Sequence, residues 1–360
     1  MAKRTVIPFG PQHPVLPEPV HLDLVLEDET VVEAIPSIGY IHRGLEKLVE
    51  KREWPEMVSV IERICGICSF GHGMGYCLSI EGNMGIQIPE RAEYLRLIWH
   101  ELGRVHSHLL WLGLLADSFG FESLYMHTWK LRETVLDLFE RTTGGRVIFS
   151  VCKVGGLRRD VDADTLALME RKLTELVPEI EELAKVFIED SSVGSRLKGV
   201  GVLTAEEAAA LGAVGPVARG SGLRMDVRLE EKDRLYVDLG FEPCVETAGD
   251  SHARCVVRIR ELFQSIELIK AAIQRIPDGE VSVPVKGNPE REYIARVEQP
   301  RGEAYYYSKG AGEKFLKRIR VRTPTNANIP AMVKTLAGAQ LADVPILILT
   351  IDPCISCTER

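Results

Sequence analysis

The chain has 360 residues, of which 45% are hydrophobic, 27% charged and 6% aromatic, and its formal net charge is −8. This length allows one large domain or two ordinary ones, and the acidic balance argues against nucleic-acid binding, because contacts with phosphates need a basic surface. No apolar run approaches the roughly 20 residues that cross a bilayer. The N-terminal segment MAKRTVIPFGPQHP also lacks the apolar centre of a signal peptide. We therefore expect a cytoplasmic globular protein that reaches a membrane only through partner subunits.

Two kinds of hydrophobic pattern follow each other along the chain. Residues 21–35 alternate apolar and polar side chains around an acidic turn at 27–29, which predicts a β-hairpin. Helical periodicity takes over near Trp54 and dominates the middle of the chain. Asp250 and Ser251 are candidate N-caps for the last helix of this region. The long helices are predicted over residues 89–118, 124–142, 164–190 and 250–276.

The remaining segments are less regular. Residues 194–222 are glycine-rich and are predicted to form a loop or a short helical connection. Prolines interrupt residues 281–321, which predicts short strands. A last helix is predicted at about 329–341, followed by the apolar run 346–351.

These elements predict an α+β, mainly helical fold with a central bundle of long helices and β-rich segments at both ends. No internal repeat or domain boundary is visible, so the interpretation is a single domain over residues 1–360. Within it we expect a β-rich N-terminal part (1–50), a helical core (51–280) and a β-rich segment that leads to the C-terminal cysteine motif (281–360).

Two cysteine pairs with two intervening residues lie near opposite ends of the chain. Cys65 and Cys68 belong to RICGICSFGH, and Cys354 and Cys357 belong to the terminal DPCISCTER. This spacing lets both thiolates of a pair face one ion, and two pairs complete a four-sulfur shell for zinc, copper(I), nickel or an iron–sulfur centre. The other cysteines stand alone and are expected to be small buried apolar residues: Cys77, Cys152, Cys244 and Cys255.

Spacing alone leaves three interpretations of the pairs open. A structural zinc site is common for paired CxxC motifs, but such sites usually fold a small module, and here the pairs lie far apart in the chain. Two independent redox pairs of the thioredoxin type would need a strand before each motif and a helix after it, which fits the Asp-Pro before Cys354 less well. The third interpretation is a catalytic or electron-handling metal centre.

The order RxCGxCxxxH and then DPCxxC resembles the large subunit of [NiFe] hydrogenases. Further matches extend over the whole chain: GPQHP at 10–14 with Glu18-Pro19, RGLE at 43–46 and QPRG at 299–302. The short length and the GPQHP start look like the membrane-bound, energy-converting (Ech-type) group, which is related to the quinone-site 49 kDa subunit of complex I. That subunit lacks the four cysteines, so the cysteines favour a hydrogenase. A complex I-like quinone-site subunit of an NADH/quinone oxidoreductase remains the alternative.

The resemblance implies a nickel–iron centre that cleaves H₂ heterolytically and reversibly. All four cysteines would bind nickel, with Cys65 and Cys354 as terminal ligands and Cys68 and Cys357 as bridges to an iron that carries carbon monoxide and cyanide. Cys357 is also a candidate catalytic group, because a nickel thiolate can accept a proton.

The resemblance also assigns two residues outside the cysteine motifs to catalysis. Arg301 corresponds to an arginine beside the metals, although an arginine in a Pro-Arg-Gly turn would otherwise be placed on the surface. Glu18 corresponds to the carboxylate that passes protons between a nickel-bound cysteine and the surface. The alternative for Glu18 is a solvated loop residue.

Four further residues are expected near the cofactor. His72 follows Cys68 by four residues and would donate to a thiolate. Pro324 and Thr325 match the stretch that lines the diatomic ligands, with Thr325 as a donor to cyanide. Asp117 matches an acidic position near the arginine, with an exposed helix-end aspartate as the alternative.

Glu46 corresponds to a carboxylate that helps to hold a second-site magnesium or iron near the C-terminus of many relatives. In those relatives a terminal histidine completes the site. Here Arg360 occupies that position, which leaves the second metal in question and makes an Arg360–Glu46 ion pair the alternative.

The sequence has no further cysteine cluster for an iron–sulfur centre, so electrons must leave to another polypeptide. The resemblance implies a small subunit with a [4Fe–4S] cluster, further iron–sulfur and membrane subunits, ferredoxin as an indirect partner and coupling to ion translocation. The chain would then be the cytoplasmic, peripheral part of a membrane-bound complex.

Overall fold

A computed structural model describes residues 4–14, 16, 18–230 and 234–360. The predicted N-terminal part also includes residues 1–3, 15 and 17, which lie outside this description. The strands are β1 (Arg4–Phe9), β2 (His21–Glu27), β3 (Thr30–Ser37), β4 (Cys152–Lys153), β5 (Gly156–Leu157), β6 (Glu292–Gln299), β7 (Gly302–Lys309) and β8 (Arg318–Arg322). The helices are α1 (Leu45–Glu50), α2 (Val58–Glu62), α3 (Ser69–Met84), α4 (Glu90–Ser118), α5 (Glu122–Thr143), α6 (Ala163–Glu189), α7 (Ser191–Leu197), α8 (Ala205–Ala210), α9 (Gly215–Gly220), α10 (Val227–Glu230), α11 (Arg234–Asp238), α12 (Ser251–Arg275), α13 (Pro324–Leu336), α14 (Val344–Ile351) and α15 (Ile355–Glu359). The α+β, mainly helical class is therefore confirmed.

The predicted hairpin is present as β2 and β3, which pair antiparallel around a turn at Asp28 and Glu29. β1 adds to the other edge of β2, so the sheet has the order β1-β2-β3. Leu22, Leu24 and Leu26 are buried while their neighbours in β2 are partly exposed. The alternation of the sequence thus fixes which face of the sheet meets the core.

The four long helices of the core begin and end within two residues of their predicted limits. Asp250, and not Ser251, is the N-cap of α12, because its side chain accepts from the Ala253 N–H at 2.7 Å. The glycine-rich connection consists of the short helices α7, α8 and α9 with turns between them.

A buried ion pair and hydrogen bonds from two helices fix the end of β6 that precedes Arg301. Arg219 donates to the Glu298 carboxylate at 2.8 Å, and Arg104 donates to the backbone oxygens of Glu298 at 2.7 Å and Gln299 at 3.3 Å. These groups are almost fully buried. Removing one partner would leave an unpaired charge in the interior, so the network holds this turn in place.

The C-terminal part departs from the prediction in two respects. The helix expected at 329–341 is α13, which starts five residues earlier, and the apolar run 346–351 belongs to a further helix, α14. Thr323 as N-cap and Pro324 at the first helical position are the start signal of α13, and Pro330 lies inside the helix without ending it. α14 is buried on nearly all sides, which explains why its sequence is apolar without a polar face.

The two ends of the chain share a hydrophobic core. Phe9 and Leu24 of the N-terminal sheet belong to the same buried cluster as Leu336 of α13 and Leu347 of α14. A larger cluster contains the long helices and includes all four cysteines of the two motifs. This packing brings the C-terminal motif beside the first one.

Candidate metal centre

The four cysteines of the two motifs converge in one buried cluster. The Sγ atoms of Cys65 and Cys354 lie 3.4 Å apart, and those of Cys68 and Cys357 lie 3.7 Å apart. The ligand atoms of Cys65, Cys68 and Cys357 all lie within 4.8 Å of one another. All four side chains are buried. Each pair across the cluster therefore joins one thiol of the first motif to one of the second.

Each motif forms a tight turn at the start of a helix. α3 begins at Ser69, directly after Cys68, and α15 begins at Ile355, directly after Cys354. Within the first motif the Ile67 N–H donates to Cys65 Sγ at 3.3 Å, and within the second the Cys357 N–H donates to Cys354 Sγ at 3.3 Å. Backbone donors at helix starts stabilise thiolates, which are the form that binds metals.

The thiols influence one another's ionisation. Hydrogen bonds from Cys354, Cys357 and Cys68 lower the pKa of Cys65 well below its ordinary value, although burial opposes this. Hydrogen bonds with Cys354, Cys65 and Cys68 raise the pKa of Cys357, and burial adds to this effect. These contacts thus favour the thiolate at Cys65 and the protonated thiol at Cys357, and a metal that binds the cluster would displace the remaining protons.

The donor set fits a soft metal ion. A tetrahedral site with metal–sulfur bonds of about 2.3 Å places its sulfurs about 3.8 Å apart. The two sulfur–sulfur distances across the cluster, 3.4 and 3.7 Å, are close to this value. Thiolates favour zinc, copper(I), nickel and iron over magnesium or calcium.

Arg301 lies at this cluster and is paired with Asp352, not with Asp117. Its Nη2 lies 2.8 Å from Asp352 Oδ1, and its Nε donates to the Asp352 backbone oxygen at 3.0 Å. Burial disfavours the charged guanidinium, but Asp352 and Cys354 outweigh it and raise the pKa of Arg301. Among the residues that the structure describes, the buried Arg301 Nη1 has no hydrogen-bond partner. Such an orphaned donor is suited to a ligand beside the thiols.

His72 contacts the cluster directly. Its Nε2 lies 3.4 Å from Cys357 Sγ, and its Nδ1 lies 2.8 Å from the Tyr306 hydroxyl. Burial lowers the pKa of His72 to about 4, so the imidazole is neutral at neutral pH. A neutral imidazole can donate to a thiolate from one nitrogen only.

The start of α13 supports the second motif. The Cys354 N–H donates to Thr325 Oγ1 at 3.0 Å, and Thr323 Oγ1 donates to the Cys357 backbone oxygen at 3.0 Å. Pro324 lies buried between these two threonines. Pro324 and Thr325 therefore lie beside the second motif, where the Thr325 hydroxyl contacts the backbone of Cys354.

Glu18 lies at the start of α15. Its carboxylate accepts from the Ile355 N–H, from the Ser356 N–H at 3.0 Å and from the Ser356 hydroxyl. Glu18 is half-buried. The carboxylate therefore lies next to the second cysteine motif and has partial access to solvent.

Glu46 forms the ion pair that the sequence offered as an alternative to a metal. Its carboxylate lies 3.0 Å from Arg360 Nε and 3.1 Å from Arg320 Nη1, and it accepts from the Val321 N–H at 2.9 Å. Among the described residues, the one group of metal-ligand type is the cysteine cluster. The contacts therefore favour the ion pair over Glu46 as a ligand of magnesium or iron.

Asp117 is the candidate that the structure does not bring to the centre. It lies exposed in the last turn of α4, where its backbone oxygen accepts from the Gly120 N–H at 2.9 Å. The position near Arg301 belongs to Asp352, which the sequence analysis did not single out. Its place two residues before Cys354, after an apolar run, was the available signal.

Other contributors also escaped notice in the sequence. Gln299 donates to Tyr306 at 3.1 Å, and Tyr306 contacts His72, but the strand pattern around Tyr306 gives no hint of this role. Cys77 and Cys152, expected to stand alone, are buried as predicted, but their thiols interact with each other.

The families that this chain resembles include nickel-dependent enzymes, which agrees with a cluster of four thiols. The model of the respiratory-chain NADH dehydrogenase 49 kDa subunit matches residues 118–288 and 284–360, and that of nickel-dependent hydrogenase matches residues 43–116. The membrane-bound hydrogenase subunit alpha of Pyrococcus furiosus is 39% identical over 98% of this chain and 87% of its own. The chain belongs to the family of nickel-dependent hydrogenase and 49 kDa subunits. These matches confirm the family predicted from the cysteine motifs.

Other members of the family cover the chain almost completely. The carbon monoxide-induced hydrogenase of Rhodospirillum rubrum is 38% identical over 98% of this chain and 99% of its own. A chain of the membrane-bound sulfane sulfur reductase, an archaeal respiratory membrane complex, superposes with a TM-score of 0.95 at 30% identity and covers 99% of this chain and 98% of its own. The hydrogenase relatives and the nickel-dependent family favour the hydrogenase function over the quinone-site alternative. Among the described residues, no helix is both long and apolar enough to cross a membrane.

Proposed function

We propose that the chain is the catalytic subunit of an energy-converting [NiFe] hydrogenase, which interconverts H₂ with protons and electrons. The observation that carries this proposal is the convergence of four buried thiols, two from each end of the chain, in a member of a nickel-dependent family. One pair of thiols alone would bind a metal weakly, whereas the four thiols of both pairs can surround it.

The cysteines would hold a nickel–iron centre, with Cys65 and Cys354 on nickel alone and Cys68 and Cys357 between the metals. Carbon monoxide and cyanide would complete the iron. When bound, this centre supplies the heterolytic cleavage of H₂ and the uptake of its electron pair.

Arg301 and Thr325 would surround the diatomic ligands. The Nη1–H of Arg301, which has no partner among the described residues, is a fixed donor that does not lose its proton, and the ion pair with Asp352 fixes the orientation of the guanidinium. Pro324 would fill space beside them without adding a competing donor.

Glu18 would carry protons between the thiol at Cys354 and the surface. The residue is half-buried and bonded to the first two backbone N–H groups after Cys354. Proton transfer needs an acid–base group within reach of both ends of the path, and a carboxylate at the start of α15 meets that condition.

The electrons would pass to a small subunit with a [4Fe–4S] cluster, and ferredoxin would be the electron partner of the whole complex. Two relatives are named as parts of membrane-bound enzymes. By this likeness the chain would be a cytoplasmic, peripheral subunit whose turnover is coupled to ion translocation by membrane partners.

The composition of the centre distinguishes this proposal from its competitors. Sulfane sulfur reductase shares the fold, so the fold alone does not decide the reaction. We expect elemental analysis of the purified complex to find nickel and iron, and infrared spectra to show carbon monoxide and cyanide stretching bands. One equivalent of zinc without these bands would end the proposal.

The bridging role of Cys357 can be tested by substitution. Cys357→Ser should abolish H₂-dependent dye reduction, because a serine hydroxyl is a poor bridging ligand for soft metals. Cys244→Ser is the matched control, since Cys244 is a buried cysteine whose thiol bonds to Gln264 instead of the cluster. Retained activity in Cys357→Ser would contradict the assignment.

A further inference from the structure

A chain of three buried polar side chains leads away from Cys357. His72 Nε2 lies 3.4 Å from Cys357 Sγ, His72 Nδ1 lies 2.8 Å from the Tyr306 hydroxyl, and Gln299 Nε2 lies 3.1 Å from the same hydroxyl. His72 and Tyr306 are fully buried and Gln299 is 1% exposed. Water therefore does not compete for these bonds.

The direction of the hydrogen bonds follows from the chemistry of each group. The amide nitrogen of Gln299, not its oxygen, faces Tyr306, so the Tyr306 oxygen accepts from it and its own O–H points to His72 Nδ1. A nitrogen that accepts carries no proton, and the single proton of the neutral ring then sits on Nε2. From there it is donated to the sulfur of Cys357.

Two glycines of α3 make this arrangement sterically possible. Gly71 and Gly75 lie four residues apart and so face the same side of the helix. A Cβ on Gly71 would come within 2.3 Å of the Gln299 side chain, and one on Gly75 within 2.2 Å of the Tyr306 ring. Glycine inside a helix is destabilising relative to alanine, so the close approach is the feature that these positions supply.

We propose that Tyr306 and Gln299 are positioning residues that lock His72 in the tautomer that donates to the Cys357 sulfur. The inference rests on the proposed function in one respect, namely that Cys357 bridges the metals. A hydrogen bond to a metal-bound thiolate withdraws electron density from the metals and tunes their redox behaviour. The strand pair β6–β7 would thus set the electronic state of a centre that it does not bind.

The test is Tyr306→Phe in the purified hydrogenase complex, read by infrared spectroscopy. Without the hydroxyl, Nδ1 loses its donor and the Nε2–H bond to the sulfur is no longer enforced. The iron becomes more electron-rich, so the carbon monoxide and cyanide bands should move to lower frequency, and turnover should fall about 10- to 100-fold with unchanged nickel content. Tyr307→Phe is the matched control, because that hydroxyl belongs to the next residue of β7 and bonds to Glu292 instead.

A second variant separates this role from general damage to the fold. Gln299→Glu keeps the side-chain size but places a carboxylate oxygen opposite Tyr306. That oxygen accepts a hydrogen bond from the Tyr306 O–H, so the direction of the hydrogen bonds along the three side chains is reversed. The bands of this variant should move in the same direction as those of Tyr306→Phe. In a His72→Gln background, Tyr306→Phe should cause no additional shift, since both residues act through the same bond.

Two failures are distinguishable. Unshifted bands in both Tyr306→Phe and Gln299→Glu, or fully additive shifts with His72→Gln, would overturn the inference while leaving the hydrogenase function intact. Unmodified complex that contains no nickel and shows no such bands would overturn the proposed function instead.

Discussion

The two cysteine motifs reach the same cluster by different means. The first motif is embedded between α2 and α3, and α3 continues directly from Cys68. The second motif is a short segment whose terminal helix α15 has only five residues. Isolated helices of that length are not stable in water, so distant parts of the chain must hold it.

Anchors from the N-terminal region surround the second motif. Glu18 binds the start of α15, and Glu359 near its end accepts from the Gly39 and Ile41 N–H groups, both at 2.5 Å. Arg43 donates to the Ser356 oxygen at 3.4 Å, and it also donates to the backbone oxygens at residues 63 and 64, at 2.8 Å each. Arg43 thereby ties both motifs together.

The centre is therefore completed when the second motif docks against the N-terminal region. The first pair of thiols is positioned largely by its own helix, whereas the second pair is also held by groups of the N-terminal region that lie more than 300 residues away in sequence. Substitutions of the anchors should therefore affect the second motif selectively, and the predictions below test this asymmetry.

The largest effect is expected at Glu18, the anchor that is also the proposed proton carrier. Glu18→Gln keeps hydrogen-bond acceptance but removes the acid–base group, so turnover should fall about 10²- to 10⁴-fold with metals still bound. H/D exchange activity and nickel content measure this. Exchange as fast as in an exposed control, Glu33→Gln, would remove Glu18 from the proton path.

Glu62, which lies three residues before Cys65 of the first motif, should make the free energy of unfolding depend on pH. This carboxyl is 1% exposed, its Oε2 accepts from the Ser150 hydroxyl at 2.6 Å, and burial raises its pKa to about 7 from 4.5. The folded state then holds a proton that the unfolded state has lost, so stability falls as pH rises from about 4.5 to 7 and is level above. The total loss is on the order of 3 kcal/mol.

Glu62→Gln should remove this dependence, because the amide does not titrate. Urea unfolding at pH 5 and pH 8 measures the difference between wild type and variant. The exposed Glu56→Gln provides the control. A variant whose stability still falls by the same amount between these pH values would show that other groups cause the change.

Glu359 tests the docking of the second motif without touching a thiol. Glu359→Ala leaves the Gly39 and Ile41 N–H groups without their acceptor, which should cost about 1–3 kcal/mol. Hydrogen exchange should accelerate at residues 354–359 but not in α3. Equal acceleration in both motifs would contradict the asymmetry, and the exposed Glu313→Ala should change neither.

The smallest effect is expected at the Arg360–Glu46 pair, which is partly exposed at 13% and 12%. Arg360→Ala should lower the free energy of unfolding by about 1 kcal/mol. Thermal unfolding of the wild type should not respond to added Mg²⁺, because arginines already occupy the Glu46 carboxylate. A rise in Tm with Mg²⁺ would contradict the ion-pair interpretation and support a second metal site at Glu46.

Much of this protein could be predicted from the sequence, because the relevant signals are local. The periodicity of apolar residues predicts the hairpin and the long helices. The two CxxC motifs identify the four thiols as candidate metal ligands. The Arg360–Glu46 pair was also foreseen, although only as an alternative. Local signals were weaker in the C-terminal part, where an apolar run does not distinguish a buried helix from a buried strand.

Which side chains surround the thiols depends on the tertiary packing of the helices and strands. This packing placed Asp352, not Asp117, against Arg301, and it brought Gln299 and Tyr306 onto the glycine face of α3 beside His72. Such pairings join residues far apart in the chain, and no local pattern encodes them. They arise only when the packing of helices and strands fixes which buried polar groups must satisfy one another.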